Sequence, residues 1–243
     1  MNIIKAENYK EMSQIAAKYL TEQVSAKPNS VLGLATGSTP EGLYEEIIHR
    51  YNKGEISFKD VTTYNLDEYV GLANDNDQSY YYYMHKLLFD HINIKEEQAY
   101  LPNGDAADLQ EECIRYESSI QAAGGIDIQI LGIGLNGHIG FNEPGTPFSS
   151  KTHIVDLDES TREANARFFK SIDDVPKQAI TMGIDSIMQA KRIILLVSGS
   201  QKAEALERLV NGPVTEDFPA SILQKHSDVT IIADQDATSK LSV

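Results

Sequence analysis

Apolar positions along the chain alternate between two periods. Met12, Ile15, Ala16, Tyr19, Leu20 and Val24 fall on one face of a helix that Pro28 closes. A continuous apolar run, Val31-Leu32-Gly33-Leu34-Ala35, follows and predicts a strand buried on both faces. Thr39 reads as an N-cap with Pro40 at the first helical position, opening a helix toward Arg50. The alternation continues with a strand over Val61–Asn65, a helix over Ser79–Phe89, a long amphipathic helix over Asp105–Ala123 ended by Gly124-Gly125, and a strand over Ile126–Leu131. A helix near Thr161–Phe169, a strand over Arg192–Val197, a helix over Ser200–Leu209 and a strand over Val229–Ala233 complete the pattern. Strands alternating with helices predict an α/β fold: a three-layer α/β/α, Rossmann-like, open and mostly parallel sheet. With no repeat, low-complexity tract or long linker, residues 1–243 read as a single domain. Ligands of such sheets gather at the carboxyl ends of the strands, where Gly- and Ser-rich loops follow Ala35, Leu131 and Val197.

Charge narrows the partners. The 243 residues carry 21 Lys plus Arg against 36 Asp plus Glu, a formal net charge of −15, and no basic run offsets it locally. That excludes nonspecific binding of nucleic acid, whose affinity comes from neutralising phosphates. A single cysteine, Cys113, leaves no intramolecular disulfide, and the first seven residues lack the apolar segment of a secretion signal. Both features predict a cytoplasmic protein. The longest apolar runs, such as Ile193–Val197, reach about a quarter of the roughly 20 residues a membrane helix needs, so no membrane span is expected.

Two turns have the chemistry of anion sites. Thr36-Gly37-Ser38-Thr39 joins a strand to a helix N-terminus, where free N–H groups and the positive end of the helix dipole favour an anion and the three hydroxyls add donors. Taken alone, the same turn serves equally as a capped connection. Val197–Ala203 places Lys202 in the first turn of its helix, an end where cations are disfavoured, and a bound anion would explain the placement. Gly132-Ile133-Gly134-Leu135-Asn136-Gly137 fits the dinucleotide pattern G-x-G-x-x-G, but Gly140, Pro144, Gly145 and Pro147 interrupt the helix that pattern requires.

The loop that follows brings an amide, an imidazole and a carboxylate together in Asn136, His138 and Glu143. An imidazole oriented by a carboxylate suits proton transfer near neutrality, although a histidine taken singly is more often structural. Asn65-Leu66-Asp67-Glu68-Tyr69 also falls at the carboxyl edge of the sheet. One of its two acids is a candidate base, against the alternative of an acidic surface loop. The run Tyr80–Tyr83 reads as helix packing with some exposed hydroxyls, and no His or Cys spacing supports a metal.

Leu34–Pro40, Asn65–Val70, Gly132–Pro144, Asn165–Phe169 and Gly199–Ala203 together resemble the glucosamine-6-phosphate deaminase (glucosamine/galactosamine-6-phosphate isomerase) family over nearly the whole chain. The resemblance implies isomerising deamination of glucosamine 6-phosphate with water to fructose 6-phosphate and ammonium, without a cofactor. By motif position it makes Asp67 the base that moves the C2 proton to C1, and His138 the group that assists ring opening. Asn136 and Glu143 would orient that imidazole. Thr36, Gly37, Ser38, Thr39, Arg167 and Lys202 would hold the phosphate, Arg167 from a segment that would close as a lid and raise the proton affinity of Asp67 by desolvation. The sequence departs from many members in carrying Asn136 where they have Asp. It also stops soon after Asp234 and reads Lys151-Thr152-His153-Ile154-Val155-Asp156 where the allosteric members are basic, so a non-allosteric monomer is expected. The alternatives are a 6-phosphogluconolactonase-like hydrolase, disfavoured by Asp67 and Glu143, and a sugar-phosphate sensor, which needs no base.

Overall fold

The computed structural model describes residues 1–157, 162, 166, 169 and 171–241. Its centre is a seven-stranded sheet, parallel throughout, built from β1 (Asn2–Ala6), β2 (Val31–Leu34), β3 (Thr62–Asn65), β5 (Ala99–Tyr100), β6 (Ile128–Leu131), β9 (Arg192–Val197) and β10 (Val229–Asp234). The strand order is β1-β10-β9-β6-β2-β3-β5. Every residue of β2, β6 and β10 is buried, so both faces of the sheet are covered, as the unbroken apolar runs predict. The chain builds outward from β2 through β3 to β5, then returns to place β6 on the other side of β2. This reversal makes the gap between the carboxyl ends of β2 and β6 the switch point at which ligands of open α/β sheets bind.

The long helices are α1 (Tyr9–Ala26), α2 (Glu41–Asn52), α3 (Tyr80–Leu87), α4 (Leu109–Ala122) and α6 (Ala203–Asn211), with a short α5 (Ile184–Met188). Their boundaries refine the sequence reading. Helix α1 is capped by Asn8, whose side chain accepts the Glu11 N–H. Helix α4 starts four residues later than expected, where Asp108 accepts the N–H groups of Gln110 and Glu111. The cap of α2 is Pro40 in helical conformation, not Thr39, and no side chain bonds there. Ser200–Lys202 form a 3-10 turn ahead of α6.

A second sheet was not legible in the sequence. Strands β4 (Asp67–Tyr69), β8 (Gln178–Thr181) and β7 (His153–Asp156) pair antiparallel in the order β4-β8-β7. It has its own small apolar cluster of Tyr69, Phe141, Leu157 and Ala179, against which Tyr80 and Phe169 pack. Leu66 joins the two sheets. Its N–H donates to Leu34 in the parallel sheet and its carbonyl accepts from Met182 beyond β8, so Asp67 is fixed where the sheets meet. The expected helix near Thr161–Phe169 lies mostly outside the described residues.

Candidate active site

Four neighbouring strands, β3, β2, β6 and β9, carry the candidate residues at their carboxyl ends, across three strand spacings or about 14 Å. Asp67 is in the loop-like stretch after β3, but the structure makes that stretch the buried strand β4 rather than an acidic surface loop. Asp67 itself is 6% exposed. Burial, with the adjacent Glu68 charge adding to it, pushes its carboxyl up to about 8. No Lys or Arg among the described residues forms an ion pair with it.

Alternation along β4 sends Asp67 and Glu68 to opposite sides and settles which acid faces the site. Glu68 turns toward α3 and accepts the backbone N–H groups of Tyr69, Tyr80 and Tyr81 at 2.8, 2.9 and 2.8 Å. It therefore anchors the N-terminus of α3, alongside the Ser79 cap. Burial pushes Glu68 up to about 7, against the pull of its three N–H donors.

Asp67 meets the His138 loop at Gly140. A Cβ on Gly140 would stand 3.6 Å from Asp67 Oδ2, 3.5 Å from Asn142 Nδ2 and 3.0 Å from Thr181 Oγ1, so a bare, left-handed glycine (φ +57°) is what allows the approach. Thr181 pairs with Asp67 across β4 and β8 and accepts the Phe141 N–H at 3.1 Å. Asn142 is fully buried and donates to the carbonyls of Ile139 and Met182. These contacts clamp the loop to the second sheet. Thr181 carried no signal in the sequence, because its role comes from strand pairing alone.

No helix follows β6. The glycine-rich stretch closes on itself instead, through Gly134 N–H to the His138 carbonyl and Gly137 N–H to the Gly134 carbonyl, which removes the dinucleotide reading. The imidazole of His138 lies over Gly134, where any Cβ would collide with the ring. Asn136 ties the loop together: its Nδ2 donates to Glu143 Oε2 at 2.6 Å and its Oδ1 accepts the His138 N–H at 3.1 Å. His138 Nδ1 lies 3.5 Å from Glu143 Oε1, a separation at which the carboxylate orients the ring by charge more than by a formed hydrogen bond. The amide thus places the carboxylate beside the imidazole.

On the other side of the switch point, Gly37 and Ser38 are exposed and Thr36 and Thr39 partly so. Among the described residues none accepts the N–H of Gly37, Ser38 or Thr39, so these donors face outward. The turn after β9 behaves differently. The Ser198 hydroxyl and the Gly199 N–H both bond Asp234, so these two donors are spent internally, while the Lys202 ammonium points back toward the loop after β6. The Lys202 ammonium reaches the Ile133 carbonyl at 2.7 Å, one residue from the glycine beneath His138, and burial lowers its pKa. The structure therefore brings Asp67, Asn136, His138, Glu143, the Thr36–Thr39 turn and Lys202 to one rim. Arg167 lies outside the described residues. Among the described residues no cluster of His, Cys, Asp or Glu is arranged to hold a metal ion.

Fold and site together define a class: α/β proteins that carry a histidine-bearing glycine loop and a Gly/Ser/Thr turn on either side of the switch point of a parallel sheet. Residues 5–232 match the family model described as glucosamine-6-phosphate isomerases/6-phosphogluconolactonase, and the chain belongs to that family. It is 62% identical over 242 residues to glucosamine-6-phosphate deaminase of Oceanobacillus iheyensis, covering 100% of this chain and 97% of that one. A solved structure of a monomeric glucosamine-6-phosphate deaminase superposes with a TM-score of 0.96 at 53% identity, covering 98% of this chain and 99% of that one. The 6-phosphogluconolactonase of Trypanosoma cruzi shares the fold at a TM-score of 0.78, with 21% identity over 100% of this chain and 97% of that one.

Proposed function

We propose that this protein converts glucosamine 6-phosphate and water into fructose 6-phosphate and ammonium, acting in amino-sugar (N-acetylglucosamine) catabolism as a cytoplasmic monomer with one catalytic domain over residues 1–243. The observation that carries this reading is the placement of Asp67: a buried carboxylate without a cation partner among the described residues, held against the His138 loop at the switch point of the sheet. Such a group binds a proton more tightly than an exposed acid and, once ionised, is a stronger base.

In the proposed sequence, His138 first transfers a proton from the anomeric hydroxyl to the ring oxygen, which opens the pyranose and exposes the aldehyde. The carbonyl acidifies C2–H. Asp67 takes that proton, giving an enolamine, and returns it to C1, which leaves a ketose imine at C2. Water adds to the imine carbon, the C–N bond breaks and ammonium leaves with the nitrogen. Both electrons of each broken bond stay within substrate and product, so the reaction needs no redox cofactor. Glu143, set by Asn136, stabilises the imidazolium that forms in the first step.

The substrate phosphate is assigned to the turn of Thr36, Gly37, Ser38 and Thr39, with Lys202 as a cation and Arg167 as a bidentate partner. A net charge of −15 cannot attract a phosphate from a distance, so these local donors have to supply the attraction. Lactone hydrolysis is the second reading, because the family model names both activities. Incubation with glucosamine 6-phosphate, followed by measurement of both ammonium and fructose 6-phosphate, tests the proposal. Equal yields of the two are expected. No turnover there, with hydrolysis of 6-phosphogluconolactone instead, would reverse the assignment.

A further inference from the structure

We propose that the hydroxyls of Tyr9, Tyr44 and Tyr83 act as a positioning set that draws back the carbonyls of the Ala35–Thr39 turn, so that its N–H groups face a phosphate. The inference rests on the reading of that turn as the seat of the substrate phosphate. Tyr44 of α2 donates to the Ala35 carbonyl. Tyr83 of α3 donates to the Gly37 carbonyl at 2.6 Å, and Tyr9 of α1 donates to the Ser38 carbonyl at 3.0 Å. Three helices thus each contribute one phenol to the same five-residue turn.

The direction of these bonds is unambiguous. A carbonyl can only accept, so each phenol is the donor. Tyr9 also accepts the Gly42 N–H at 2.7 Å, which orients its own proton toward Ser38. A peptide unit has its N–H and C=O on opposite edges, so pinning the Gly37 and Ser38 carbonyls inward turns the N–H groups of Ser38 and Thr39 outward. It also removes two carbonyl dipoles that would otherwise repel an anion. Gly37, at φ +90°, takes the backbone conformation this orientation requires. Burial raises the proton affinity of all three phenols, so they remain donors throughout the working pH range. Tyr83 packs against the main core, and its hydroxyl adds the bond to Gly37 that packing does not require.

The test compares Tyr83→Phe and Tyr9→Phe with two reference variants of the full chain. Tyr64→Phe removes a buried phenol that bonds the Ser119 carbonyl of α4 and not the turn, and Lys202→Ala removes the phosphate cation. For each, KM and kcat for glucosamine 6-phosphate and the competitive inhibition constant of inorganic phosphate are measured. Loss of one hydrogen bond should raise KM and the phosphate constant together by about five- to tenfold in Tyr83→Phe, with kcat within about twofold of the parent. Tyr9→Phe should change both constants in the same sense. Tyr64→Phe should lower the melting temperature without moving either constant. If Lys202→Ala raises both constants while the Tyr83 and Tyr9 variants match the parent, the tyrosine set is refuted and the phosphate site stands. If Lys202→Ala also leaves both unchanged, the phosphate assignment fails and the inference fails with it.

Discussion

Asp67 and Asp127 are both buried aspartates, 6% and 4% exposed, one where the second sheet meets the carboxyl ends of the parallel strands and one at the amino end of β6, yet their environments push their proton affinities apart. Asp127 precedes β6 at the lower edge. Burial alone would raise its pKa, but the ammonium groups of Lys191 and Lys27, each 2.7 Å away, and the Val31 N–H at 2.8 Å outweigh it and hold the carboxyl below its ordinary value. Asp67 receives no such partners among the described residues. Burial, with the Glu68 charge adding to it, pushes its carboxyl up to about 8. A buried acid that gathers cations and N–H donors ties the fold together. One buried beside a second carboxylate holds its proton instead.

Substitution at Asp67 should give the largest effect. Asp67→Asn keeps the shape and removes the base, so turnover of glucosamine 6-phosphate and exchange of the C2 proton with solvent should fall by about 10²- to 10⁴-fold. Stability should move the other way. A carboxyl whose folded pKa is raised contributes most below its unfolded value near 4 and loses that contribution as pH rises toward 8. Asp67→Asn should therefore gain stability relative to the parent between those limits. Denaturant titrations at pH 5 and pH 8.5 that show equal differences would break the comparison.

Asp127→Ala should behave as the mirror image. Activity in cool buffer should stay near the parent's, while stability falls by about 2 kcal/mol, chiefly because the buried Val31 N–H loses its acceptor. The two lysines are substantially exposed and contribute little beyond that. Because the Asp127 pKa is lowered, its contribution is present above pH 4 and disappears as pH falls through the folded value, so parent and variant should converge in acid. Chemical denaturation at pH 7 and pH 3 checks both statements.

A finer probe is Glu68→Gln. Removing the charge beside Asp67 should move the rising limb of the kcat/KM profile to lower pH, since that charge adds to the burial that holds Asp67 protonated. The amide can no longer accept all three N–H groups at the start of α3, so a stability loss of about 1 kcal/mol should accompany the shift. An unmoved pH limb would mean that burial alone sets the proton affinity of Asp67.

Much of this was readable in the residues, and what was hidden has a common cause. Strands β2, β6, β9 and β10 are runs of four to six mainly apolar, almost wholly buried residues and declare themselves. Strands β4, β5, β7 and β8 are two to four residues long, and β7 is polar and mostly half-buried, so their extended form depends on partners distant in the chain. Asn136, His138 and Glu143 lie within eight residues, close enough to be recognised as a group. Tyr9, Tyr44 and Tyr83 are spread over three helices and meet only because those helices converge on one turn.

The α/β class, the grouping of Asn136, His138 and Glu143, the Gly/Ser/Thr turn after β2 and the absence of a helix after the glycine-rich stretch could all be read from the residues, because each depends on neighbours within about ten positions. The different surroundings of Asp67 and Glu68 come from tertiary packing alone. The order of strands places β4 where one side faces α3 and the other faces Gly140, and alternation along that strand gives each acid its surroundings. Desolvation is a property of everything packed around a group. A buried carboxylate beside another acid therefore holds its proton tightly, and one between two ammonium groups gives its proton up readily, although both are spelled Asp.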